Sequence, residues 1–159
     1  MDKETLAILT SDIESQMGLI DDIFARLEDR AAGLTPEDER QLESAAYQLH
    51  NLYNAVEDLF KIVAGHFENR ITDASQWHIE LLRRMQQDIA GVRPALLSQE
   101  SYALLNSLRG FRHFFRHAYA TPIEHEQLRI NLDKARRLRP YLERDVTHFL
   151  EQFQASATE

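Results

Sequence analysis

Residues 42–60 read Leu42-Glu43-Ser44-Ala45-Ala46-Tyr47-Gln48-Leu49-His50-Asn51-Leu52-Tyr53-Asn54-Ala55-Val56-Glu57-Asp58-Leu59-Phe60. Leu42, Ala45, Leu49, Leu52, Val56 and Leu59 recur at steps of three and four, and Val63 and Phe67 extend the series. That step places one apolar stripe along a 3.6-residue helix, whereas a half-buried strand would alternate every second residue. The pattern predicts a helix that runs to about residue 70. Its start is signalled by Thr35-Pro36-Glu37-Asp38: Thr35 to cap, Pro36 for the first turn, and two acids at the positive end of the helix dipole.

The same step appears on both sides of this stretch. Leu6, Leu9, Ile13, Met17, Ile20, Phe24 and Leu27 define a first helix over residues 2–32, which ends before Gly33 and should pair antiparallel with the second. Trp77, Ile79, Leu81, Leu82 and Met85 lie on a third, expected from near Ser75 to near Gly91. A fourth begins at Ser98 or Gln99 and carries Leu104, Leu105, Leu108, Phe111 and Phe115. Thr121-Pro122-Ile123-Glu124 combines a Thr cap, a first-turn Pro and a Glu at the capping-box position. The fifth helix follows it with Leu128, Leu132, Ala135, Leu138, Leu142, Phe149 and Phe153, and Pro140 should kink or split it. The expectation is an all-α antiparallel helical bundle of about five helices, forming one domain over residues 1–159.

Composition agrees. With 5 Gly and 4 Pro, the chain has too few turn residues for a β-rich fold. It has no Cys, which removes a disulfide scaffold, a thiolate zinc site and a Cys nucleophile. The acidic, polar start Met1-Asp2-Lys3-Glu4-Thr5 lacks the basic and apolar regions of a signal peptide, and no apolar run could span a bilayer. The expectation is a cytoplasmic protein with no membrane contact. The net charge of −8 is unevenly spread: residues 109–144 hold nine Arg/Lys against four Asp/Glu, so a basic surface sits on an acidic body.

That basic surface is concentrated in Leu108-Arg109-Gly110-Phe111-Arg112-His113-Phe114-Phe115-Arg116-His117-Ala118-Tyr119. Arg109, Arg112, His113, Arg116 and His117 fall at helical steps of three and four. Like charges on adjacent turns repel, so the stripe needs anions to meet. Two sources are open: acids on another helix, or a bound phosphate. The Arg fork matches phosphate oxygens, and His exchanges protons near neutral pH. Arg and His without Cys or a carboxylate cluster point to phosphodiester chemistry without metal. His113 and His117 have metal-pair spacing, but Phe114 stands where a zincin has Glu and no third ligand is evident, so neither metal nor cofactor is expected. His50, His66, His78, His125 and His148 are read as structural.

At this segment the chain resembles the HepT-like ribonuclease toxins of the HEPN superfamily. Their signature is Arg, four residues, His, one residue, Tyr, here Arg112, His117 and Tyr119. The stretch from Gln48 to Glu57 is similar to their second helix, and Trp77-His78, Leu81-Leu82 and Arg93-Pro94 fit the same branch. One departure is His113, where many members carry Asn.

The resemblance implies a homodimer with the two motifs facing each other, and helix geometry agrees with it. Residues five apart on a helix lie about 140° apart, so Arg112 and His117 of one copy do not converge on one phosphate. It further implies RNA cleavage by 2′-hydroxyl attack, with His117 as acid or base and Arg112 stabilising the developing charge; DNA, lacking that hydroxyl, is spared. Arg109, His113 and Arg116 are then the residues expected to hold RNA, with Asn54 and Asp58 supporting them from the second helix. The implied partner is a nucleotidyltransferase-type antitoxin that adds AMP to Tyr119. The competing expectation is a catalytically silent HEPN-like helical dimer that binds a nucleotide or a partner protein.

Overall fold

The computed structural model describes residues 1–68, 77–117 and 121–156. Five helices follow in order: α1 (Lys3–Ala31), α2 (Glu39–Phe67), α3 (Trp77–Met85), α4 (Gln99–His117) and α5 (His125–Ser156). Among the described residues there is no strand, and a lone backbone bridge joins Ile89 to Arg93.

Helices α1 and α2 form an antiparallel hairpin. Asp2 caps α1 by accepting from the Thr5 amide at 2.8 Å. Gly33, at φ +65°, reverses the chain in a conformation that a side chain would strain. The Gln41 side-chain Nε2 donates back to the carbonyls of Arg30 and Ala32, at 3.2 and 2.6 Å, and so satisfies the open end of α1. The cap of α2 is Asp38 and not the expected Thr35: the Asp38 carboxylate accepts from the Gln41 amide at 3.1 Å, while the Thr35 carbonyl accepts from the Asp38 amide in a turn. A carboxylate at that position also meets the helix dipole, which a hydroxyl does not.

Helix α2 is the centre of the bundle, touching each of the other four. It buries Leu42, Leu49, Leu52, Val56, Leu59, Phe60 and Val63. Against them pack Leu9, Ile13, Ile20, Phe24 and Leu27 of α1, Leu81, Leu82 and Met85 of α3, Leu104, Leu105 and Leu108 of α4, and Leu132, Leu138, Leu142 and Phe149 of α5, in one continuous core.

Helix α3 ends at Met85, earlier than the expected Gly91. Its last carbonyl accepts from the amides of both Leu96 and Leu97, which turns the chain back on itself. The intervening turn is organised around Arg93, whose side chain is fully buried. Its guanidinium donates to Glu68 and to the carbonyls of Arg84, Gln87 and Pro94. The expected start of α3 at Ser75 lies outside the described residues.

Ser98 precedes α4, and both its amide and its hydroxyl donate to Asp145 of α5, at 2.8 and 2.7 Å. The first helical residue of α5 is His125; the Glu124 carbonyl accepts from Leu128, so Thr121 and Pro122 stand before the helix instead of inside its first turn. Pro140 does not split α5. It lies on an exposed face, so water can serve the carbonyl that loses its partner there. Arg136 and Arg139 of α5 pair with Glu28 and Asp21 of α1 across the bundle. No helix among the described residues is long and apolar enough to cross a membrane.

Candidate functional site

Leu104, Leu105, Leu108 and Phe111 fasten α4 to the core, which turns Arg112 toward α2 and leaves His113, Arg116 and His117 exposed. Arg112 is half-buried. Its Nε donates to the Asn54 side-chain oxygen at 2.6 Å, and its guanidinium lies over the Tyr53 ring at 5.9 Å. Adjacent side chains of one helix thus hold the arginine from two sides, by a hydrogen bond and by the ring's negative face.

The hydrogen bonds continue along α2. The Asn54 side-chain nitrogen lies 3.1 Å from Nε2 of His50, one turn earlier. The His50 ring stands beside Phe115 at 5.5 Å and Tyr47 at 6.4 Å. Its Nδ1 is buried with no hydrogen-bond partner. Burial, then the charges of Arg112 and Arg116, hold its pKa below the ordinary histidine value. On the other side of Tyr53, Glu57 is buried and both its oxygens lie 2.8 Å from Nδ1 of His78, which ties α3 to α2. Burial and then the Glu57 carboxylate push the Tyr53 phenol well above its usual range, against the opposing pull of Arg109 and Arg112.

The basic stripe is not spent on acids of neighbouring helices. Among the described residues no carboxylate lies within ion-pair distance of Arg109, Arg112 or Arg116, whereas Arg84, Arg93, Arg129, Arg136, Arg139 and Arg144 all pair. Arg109 donates to the neutral amide of Asn106 at 2.9 Å. Unpaired cations on adjacent turns raise the local potential and favour an anionic ligand.

The candidate residues separate into two groups. Arg112 and Asn54 meet directly. The His113 and His117 rings lie side by side, tilted at 55° with centroids 4.6 Å apart, and each is exposed. Arg112 thus turns to α2 while His117 turns to solvent, as their angular separation on one helix requires. Asp58 does not join Arg112: it is exposed and pairs with Lys61 at 2.7 Å, one turn beyond the crossing. Tyr119 lies outside the described residues. His50, read as structural, and Tyr53, not singled out, flank the arginine, and Glu57, also not singled out, backs Tyr53 from the His78 side. Their signal was the four-residue step that His50 and Tyr53 share with Asn54 and Glu57 respectively. Among the described residues no group of three or more His, Cys, Asp or Glu is arranged to hold a metal.

The five-helix bundle is HEPN-like in class. Residues 44–153 match the HepT-like protein family, and the chain belongs to it. The matched span takes in nearly all of α2, the whole of α3 and α4, and most of α5. No curated protein and no solved structure matches the chain.

Proposed function

We propose that the chain is a metal-independent endoribonuclease toxin of a toxin–antitoxin pair, acting in the cytoplasm as a homodimer. The observation that carries this reading is Arg112: half-buried, oriented by Asn54, and free of any carboxylate among the described residues. A guanidinium held ready in this way suits the charge that develops on a pentacoordinate phosphate, because its cost of orientation is met before substrate arrives.

In the reaction, His117 takes the proton from a ribose 2′-hydroxyl as its oxygen attacks the adjacent phosphorus. Arg112 stabilises the equatorial oxygens. The bond to the 5′-oxygen breaks, and that oxygen is protonated as it leaves. The products are a 2′,3′-cyclic phosphate and a 5′-hydroxyl. Arg109, His113 and Arg116 hold the flanking phosphates. A second copy supplies the His117 that one helix cannot bring to its own Arg112. An antitoxin of nucleotidyltransferase type silences the site by adding AMP to Tyr119, whose negative charge repels the substrate phosphate.

The test is cleavage of single-stranded RNA by the purified protein with EDTA present, followed by end-group analysis. Cyclic phosphate ends that disappear in Arg112→Ala and His117→Ala support the reading. Mixing the two inactive variants should restore part of the activity if the site is shared between copies. Dependence on a divalent ion, or cleavage unchanged in both variants, rejects it; RNA or nucleotide binding without cleavage supports the silent dimer instead.

A further inference from the structure

We propose that His50 is a positioning residue for Arg112: neutral, with Nε2 as a hydrogen-bond acceptor, it sets the direction of the Asn54 amide, and that amide sets the guanidinium. The inference rests on the ribonuclease reading for its effect on rate, and on geometry alone for the arrangement itself.

The argument starts at the arginine. A guanidinium carries only donors and stays charged in proteins. Its Nε lies 2.6 Å from Asn54, so the atom facing it must be the amide oxygen. The Asn54 amide nitrogen is then turned to Nε2 of His50, 3.1 Å away. An amide nitrogen only donates, so Nε2 must accept and cannot carry a proton. The proton of a neutral ring therefore sits on Nδ1, the atom that is buried without a partner. Reversing the amide would set its N–H groups against the arginine, and moving the ring proton would set two donors against each other at His50. A single pattern satisfies both contacts, and the arginine dictates it.

Protonating His50 places N–H on both ring nitrogens and breaks that pattern. The charged groups acting on the ring are Arg112 and Arg116, both on α4; its own helix adds Tyr47 and Asn54, and no carboxylate from α1, α3 or α5 acts on it among the described residues. The surroundings thus favour the neutral ring that the relay needs. An unpaired buried N–H normally costs stability. Its presence at Nδ1 fits a residue kept for what Nε2 does.

The test combines ring ¹⁵N shifts with RNA cleavage. Wild type at neutral pH should show Nδ1 protonated and Nε2 bare. His50→Leu should keep its thermal midpoint yet cleave about tenfold more slowly, the worth of one hydrogen bond to a half-buried partner. His50→Gln, whose amide oxygen can accept from Asn54, should restore most of the rate. In Asn54→Asp the carboxylate accepts from both neighbours, so the ring should move its proton to Nε2 and its pKa should rise. A protonated Nε2 in wild type, an Asn54→Asp ring unchanged from wild type, or a folded His50→Leu protein as fast as wild type overturns the proposal. If wild type cleaves no RNA, the ribonuclease reading falls, and the ring signatures in wild type and Asn54→Asp still decide the relay.

Discussion

Arg112 of α4 and Asn54 of α2 are joined by a 2.6 Å hydrogen bond between Nε and the amide oxygen. It fixes the plane of the guanidinium and leaves the two terminal nitrogens available to a ligand. Asn54→Leu should lower kcat on RNA about tenfold with little change in KM, because orientation in the transition state is lost while the charge remains. Arg112→Lys keeps the charge and loses the fork, and should cost about a hundredfold. Single-turnover cleavage of a short RNA measures both; equal rates for wild type and Asn54→Leu would refute the role given to the amide.

Acid should weaken the fold through His50. Its folded-state pKa is held below the ordinary value by burial and by Arg112 and Arg116, so in the window between the folded and unfolded values the unfolded chain binds more protons. Stability is then fully present above the ordinary histidine pKa and is lost as pH falls through that window. Urea midpoints at pH 7.5, 6.5 and 5.5 should drop less steeply in His50→Gln than in wild type. Parallel profiles would show that His50 does not govern this range.

The buried Arg93–Glu68 pair should be costly to break from one side. Arg93 is lowered from its usual pKa by burial, with Glu68 acting against that shift, and it remains cationic. Arg93→Met leaves the Glu68 carboxylate, itself nearly inaccessible, facing Arg84 alone, and should destabilise by about 3 kcal/mol. Adding Glu68→Gln should return part of that loss. Equilibrium denaturation of the three proteins gives the coupling, and strictly additive losses would mean that the pair does not act as a unit.

If Arg109 and Arg116 meet RNA phosphates, each should contribute to the salt dependence of binding. Arg109→Ala and Arg116→Ala should each lower the slope of log K against log salt by about 0.7, the single-strand value per contact. Affinity for duplex DNA should stay weak throughout. Unchanged slopes would remove both residues from the RNA path.

What the sequence disclosed followed from local rules. The apolar steps of α1, α2, α4 and α5 give their helices directly, because each stripe faces the same core. Where a helix ends depended on distant partners: α3 stops at Met85 because Arg93 gathers the next turn around itself, and nothing in Gln86-Gln87-Asp88 announces that. Of the two effects expected of Pro140, a split is absent because α5 runs on through it, with the proline on an exposed face. In the candidate site, Arg112 and His117 were legible from spacing and resemblance, and Asn54 from the second-helix pattern. Asp58 and His50 sit one turn to either side of Asn54, and choosing between them required knowing which turn of α2 meets α4. That is a property of the crossing, and the turn it selects holds His50.

The bond between Arg112 and Asn54 spans 58 positions of chain. Closing that loop needs α3 and α4 to be present, whereas the α1–α2 hairpin can zip outward from its tight turn at Gly33. A growing or partly folded chain therefore has its arginine long before that arginine has a direction. During synthesis the whole of α4 must emerge and dock on α2 before the guanidinium is aimed, so whatever this side chain does to a phosphate is withheld until the bundle is nearly finished.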